Sequence, residues 1–138
     1  MSRAAGGVRG SERCLFNFER LMVYQHSLTL IESIYALSRT FPPDERLGLT
    51  DQLRRAAIAI PVQIAEGSGR TTRDVRQCLR NARASCYACV AVLHIARRRG
   101  YLELSREAAC LRQLTEIAKM LSGLLRARGP AHSGVAPR

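Results

Sequence analysis

No apolar run in the chain approaches the roughly 20 residues needed to span a bilayer, which excludes a transmembrane helix. The opening stretch, Met1-Ser2-Arg3-Ala4-Ala5-Gly6-Gly7, has no apolar segment of signal-peptide type, so a cytoplasmic protein without a membrane partner is expected. Cysteines are five, an odd number without a secretory signal, and a disulfide framework is therefore not expected. No alternation of period two is present, which argues against strands. A lysine-bearing phosphate loop is also missing, because Glu66-Gly67-Ser68-Gly69-Arg70 follows a helical pattern and reads as a helix stop and tight turn. His26, His94 and His132 have no carboxylate or nucleophile pattern around them, so neither an enzyme nor a cofactor is expected.

Lysine itself is almost absent. Lys119 is the only one, yet Lys and Arg together number 22 against 11 Asp and Glu, for a net charge of +11 over 138 residues. The excess is arginine, whose planar guanidinium forks onto phosphates and stacks on bases. A polyanion partner, RNA or DNA, follows as the first expectation. Apolar residues make up 46%, enough for one real core in a chain of this length.

Four helices are predicted, at about 17–38, 51–66, 73–99 and from Ser105 onward, with 16–127 forming one domain. Residues 1–15 and 128–138 are Gly-, Pro- and Arg-bearing and are expected as disordered tails. Phe18, Leu21, Tyr24, Leu28, Ile31 and Tyr35 recur every three or four residues and give the first helix its apolar stripe. Pro42 and Pro43 stop that helix, Thr50 is the expected cap of the second, and Thr71 or Thr72 that of the third. Ala108, Leu111, Leu114, Ala118, Leu121 and Leu125 mark the fourth. Short connections between such helices predict an all-α, antiparallel up-and-down four-helix bundle.

The second helix is apolar on two sides. Leu53, Ala57, Ile60 and Ile64 share one face; Ile58, Val62 and Ala65 lie about 120–180° round the helix. A helix apolar on both sides is normally covered on both sides, so a homo-oligomer is preferred over a monomer with a central helix. Ile58, Pro61, Val62 and Ala65 are the expected interface, with Pro61 kinking the helix.

The third helix carries the main binding pattern. Arg73, Arg76, Arg80 and Arg83 fall within an arc of about 80°, Tyr87 continues the stripe, and Arg98 ends it. Between Gly67 and Arg99 stand eight arginines, Arg70 among them, and one acid, Asp74. A solvated face normally mixes signs for pairing one turn apart, and this one has almost no acids to pair with. The expected contacts are phosphates on the arginines and a base on Tyr87. Cys78, Cys86 and Cys89 fall beside Val75, Leu79, Ala82 and Leu93 and are expected as core residues, with no metal site at Cys86-x-x-Cys89. Cys14 lies in the first tail, and Glu66 is assigned as a partner for Arg54 or Arg55 or as a subunit contact.

Gln52-Leu53-Arg54-Arg55-Ala56-Ala57, followed by Ile60-Pro61, Ile64-Ala65-Glu66-Gly67 and Gly69-Arg70, resembles the signature of the bacterial four-helix bundle proteins, also called 23S rRNA-intervening sequence proteins. Tyr24-Gln25, Phe41-Pro42, Gly100-Tyr101-Leu102 and Lys119-Met120-Leu121 match as well, so the likeness spans about residues 16–126. It implies a helical bundle assembling as a ring-like homopentamer without enzymatic activity. It also implies kinship with accessory variability proteins of diversity-generating retroelements, which associate with a reverse transcriptase and RNA. The chain departs from that pattern at Ala88 and Val90, positions commonly glutamate in the family, and at Ala59 and Gln63. Losing two acids beside the arginines makes that face more positive.

Overall fold

Ser27 and Ser38 lie on the face of the first helix that turns inward, and both are almost fully buried. Ser27 Oγ donates to the Tyr24 carbonyl at 2.6 Å, so its hydroxyl enters the core already satisfied by its own helix. The computed structural model describes residues 17–127. After a 3₁₀ turn at Asn17–Arg20 come α1 (Met22–Ser38), a second 3₁₀ turn at Pro43–Glu45, α2 (Leu49–Gly67), α3 (Thr72–Arg98) and α4 (Leu104–Ala127). No strand occurs among the described residues. The expected tails, with Cys14 and His132, lie outside them. No helix there is long and apolar enough to cross a membrane.

Each helix packs on the next, and α4 returns onto α1. The centre is filled by Leu30 and Ile34 of α1, Leu53 and Ile60 of α2, Leu93 of α3, and Leu114, Ile117 and Leu121 of α4. On α2 the inward face is the expected one. On α1 it is not: Val23, Ser27, Leu30, Ile34 and Leu37 are buried, while Leu28 of the predicted stripe is exposed and Tyr24, Ile31 and Tyr35 are half-buried. The first helix is therefore apolar on two faces, like the second. Pro61 is buried within the chain and α2 continues across it, so it lies beneath the Ile58–Val62 surface.

The helix ends are held by specific donors and acceptors. Thr71 caps α3, its Oγ1 accepting the Asp74 N–H at 3.3 Å. Thr50 does not cap α2, because the helix already begins at Leu49 and Thr50 is buried in its first turn. Glu45 takes that role through Oε1, which receives the Leu49 N–H at 3.0 Å. The Leu49 N–H and the Tyr101 hydroxyl, with Arg99 nearby, hold the Glu45 carboxyl below its ordinary range.

Gly100 ends α3 at φ +82, with the Tyr101 N–H reaching back to the Ala96 carbonyl at 2.9 Å. That six-residue return needs a left-handed residue, which glycine adopts without a steric penalty. Nothing stands within 4 Å of an added Cβ, so Gly100→Ala isolates the backbone cost. The variant is expected to lose about 1 kcal/mol and a few degrees of melting temperature by calorimetry.

Candidate nucleic-acid interface

Arg76 and Arg83 of α3 do not simply project into solvent. Both are half-buried and reach across to α4. Arg76 Nη1 donates to the Leu125 carbonyl at 2.6 Å, capping the last turn of α4 where carbonyls lack helical partners. Arg83 Nη1 donates to Ser122 Oγ at 3.0 Å. A guanidinium has five donor hydrogens, so each retains capacity for a phosphate after this contact. The two side chains thus clamp α3 to α4 and lay positive charge over the seam between them.

Along that seam runs a groove of about 450 Å³ lined by Cys86, Tyr87 and Val90 of α3 and Leu114, Thr115, Ala118, Lys119, Ser122 and Arg126 of α4. Tyr87 is 58% exposed and presents its ring there. No lining residue is acidic. Lys119 and Arg126 are exposed on α4, seven residues apart, and Arg112 stands seven residues before Lys119. A spacing of seven keeps side chains on one face, with roughly 10.5 Å between successive members. The α4 wall of the groove is therefore cationic, and Arg83 of α3 reaches its edge through Ser122.

The remaining expected contacts distribute as follows. Arg73 is exposed on the outer face of α3, and Arg80 is half-buried with Nη2 donating to Gln77 Oε1 at 3.1 Å. Arg98 stands eleven residues beyond Tyr87, roughly 16 Å along the helix. Arg70 belongs elsewhere: its Nε donates to the Glu66 carbonyl at 2.7 Å, and it lines a separate cleft of about 270 Å³ with Asn17, Phe18 and Leu124. Glu66 pairs with neither expected arginine. Arg55 bridges Asp51 at 2.8 Å, and Arg54 donates to Ser38 Oγ at 2.9 Å while its guanidinium lies 4.3 Å from the centre of the Tyr35 ring.

Lys119, Ser122, Arg126 and Arg112 are the residues that reading α3 alone misses. Their signal was the seven-residue row of cations on the fourth helix, which becomes a site only once α4 is known to flank Tyr87. Among the described residues only two ion pairs form, Arg55 with Asp51 and Arg97 with Glu107, so most of the arginines are not neutralised by a neighbouring carboxylate.

Beneath the groove lie Cys86 and Cys89 of α3 and Cys110 of α4, all buried. Burial pushes Cys86 up to about 12 and Cys110 up to about 11. Cys89 is pushed up to about 12 by burial first, with the two other thiols adding to it. Thiols in that state are protonated and pack as small apolar groups, as their positions in the sequence led us to expect.

Fold and groove together define a small helical protein with an acid-free cationic seam. The chain belongs to the 23S rRNA-intervening sequence protein family, whose model matches residues 19–123. No curated protein matches it.

Proposed function

We propose that this protein is a non-enzymatic, oligomeric accessory factor of the bacterial cytoplasm that binds nucleic acid, RNA in preference, through the α3–α4 face. The observation that carries it is the groove lined by Lys119, Arg126 and an exposed tyrosine with no acid among its lining residues, with Arg83 bonded to Ser122 at its edge. Cations without carboxylate partners keep their charge available for phosphates, and each phosphate neutralised releases counterions. The family's name, which refers to an intervening sequence of 23S rRNA, favours RNA.

The bundle is antiparallel and up-and-down in this proposal. Arg76 near the start of α3 meets Leu125 at the end of α4, and Arg54 near the start of α2 meets Ser38 at the end of α1. Leu28 of α1 and Ile58 and Val62 of α2 are exposed apolar side chains, and the proposal joins them in one surface shared by the two helices. A second copy covers it, and repetition of that contact closes a ring-like homopentamer. A ring joins two different faces of each copy. The counterpart is the exposed ridge Ala84, Ala88, Ala91 and Ile95 of α3, whose spacing of four, three and four keeps it in line.

The same uncharged ridge favours a second reading, in which it docks another protein, such as the reverse transcriptase of a diversity-generating retroelement. Ala88→Arg separates the two: it breaks the ring in the first case and leaves the ring intact but without partner in the second. For the leading reading, a mobility-shift series with structured RNA is expected to show binding that weakens steeply between 50 and 200 mM salt. Absence of salt-sensitive binding to any RNA or DNA would overturn it.

A further inference from the structure

We infer that the α3–α4 groove takes a single strand and seats an unpaired base on Tyr87, a proposal that rests on the nucleic-acid function above. Three features of the groove lead there. The first is its floor. Val90 and Ala118 line it beside the cations of α4, and Tyr87 offers an exposed ring next to them. Phosphates gain nothing from apolar carbon or an aromatic face. Bases do, but only when their faces are free, and in a duplex those faces are closed by stacking on neighbouring pairs.

The second feature is shape. The groove lies between two adjacent packed helices, whose axes in such pairs stand roughly 8–10 Å apart. Proteins read DNA duplexes by pushing a helix or ribbon outward into a major groove about 12 Å wide, and RNA duplexes by laying a surface across a wide, shallow minor groove. Here the cationic surface is a concavity, which suits a narrow guest laid into it. The third is the placement of charge. Lys119 and Arg126 form the α4 wall, and Arg83 stands at the groove's edge through its bond to the lining residue Ser122. A strand running along the seam keeps its phosphates near these cations while turning a base inward onto Tyr87. Because Arg83 is fixed by its bond to Ser122, part of the site is already arranged before the strand arrives.

Tyr87 is exposed and makes no hydrogen bond among those found for the described residues, so its replacement leaves the fold undisturbed, which circular dichroism checks. Affinities of the full chain are measured for a single-stranded RNA, the single-stranded DNA of the same sequence, and the matching duplex, each with polyglutamate as a competitor. The expected result is tighter binding of both single strands than of the duplex. Tyr87→Ala is expected to weaken single-strand binding about 5- to 100-fold, the range for loss of one stacked base, with Tyr87→Phe retaining it. Lys119→Ala is expected to flatten the salt dependence by about one phosphate contact without changing the preference for single strands. Equal binding of duplex and single strands with an indifferent Tyr87→Ala variant would overturn the single-strand proposal and leave nucleic-acid binding standing. Displacement by polyglutamate at equal charge concentration would do the same to the base contact. Failure of every nucleic acid to bind would overturn both.

Discussion

Ile58→Asp combined with Val62→Asp is expected to leave the bundle folded and to split the assembly into single chains. Within one chain the two residues are 39% and 43% exposed, so a carboxylate at either position stays in contact with water and costs little. Across the proposed subunit contact the same carboxylates would be stripped of water, a penalty of several kcal/mol for each. The apolar contribution still to be gained at the contact, about 0.6–1.2 kcal/mol for each side chain since only 39% and 43% remain exposed, is lost as well. Both effects recur at every contact of a ring, so dissociation should be complete at micromolar concentration. Sedimentation velocity reads the outcome: near five chain masses for the wild type and one for the variant. The functional consequence is separable from the structural one. The groove between α3 and α4 is untouched, but a strand no longer meets several grooves at once. Apparent affinity for a long RNA should fall about 100-fold or more, while affinity for a strand short enough to fill one groove is unchanged. A wild-type chain that sediments as a monomer would sink the oligomeric reading, whatever the variant does.

The first helix shows how far its sequence could be read. Its periodicity gave the helix, and Pro42 and Pro43 its end, because those depend on local backbone chemistry. The stripe chosen from hydropathy was inward only in part: Phe18, Leu21, Tyr24 and Ile31 pack half-buried against the core, while Leu28 is exposed. Tyr24, Leu28, Ile31 and Tyr35 form the more evident row, whereas the inward row contains Ser27 and Ser38, whose polarity is cancelled by hydrogen bonds to the Tyr24 and Tyr35 carbonyls. Such cancellation is invisible until the rotamers are seen. On α2, where the inward row is wholly aliphatic or alanine, hydropathy selected the right face. Caps divide the same way: Thr71 binds three residues ahead and was legible, whereas Glu45 reaches Leu49 from a preceding turn and was not.

The cationic face was legible in charge but not in geometry. Spacing placed the arginines of α3 along one side of a rod, and they are there. That Arg76 and Arg83 bend onto α4, that Arg70 serves a different cleft, and that Lys119 and Arg126 form the α4 wall of the groove are facts of helix pairing. A wheel drawn for one helix carries no record of its neighbour. The dual use of Arg76 and Arg83 has a consequence for mutagenesis. Neutralising either removes a phosphate donor and an α3–α4 contact together, so loss of binding there cannot be assigned to charge without a stability measurement. Lys119 and Arg126 have no recorded partner to lose and give the cleaner test.

Arg97→Ala is expected to destabilise the bundle by about 2–3 kcal/mol, more than removal of its partner's charge does. Glu107 is only 4% exposed, and its Oε1 receives Arg97 Nε at 2.7 Å where α3 turns into α4. Arg97 is 44% exposed, so its charge is partly hydrated and survives the loss of the carboxylate. The converse does not hold. Without Arg97 a carboxylate stays desolvated in the protein interior, and refolding the local turn to expose it would disturb Leu102 and Cys110 beside it in the core. Glu107→Gln, which removes the charge and keeps the shape, should cost about 1 kcal/mol. Melting temperature should follow the same order, with Arg97→Ala lower by about 10 °C. Replacing both residues, Arg97→Ala with Glu107→Leu, should recover most of the loss, since a buried pair exchanged for apolar contact is often neutral. Equal losses for Arg97→Ala and Glu107→Gln would show instead that the pair acts as a surface bridge. Since Arg97 stands ten residues beyond Tyr87, roughly 15 Å along α3, strand affinity of the folded variant should be unchanged. The arginines and lysine of this chain then divide by experiment into those whose loss lowers stability alone, as Arg97, those whose loss lowers affinity alone, as Lys119 and Arg126, and Arg76 and Arg83, whose loss lowers both.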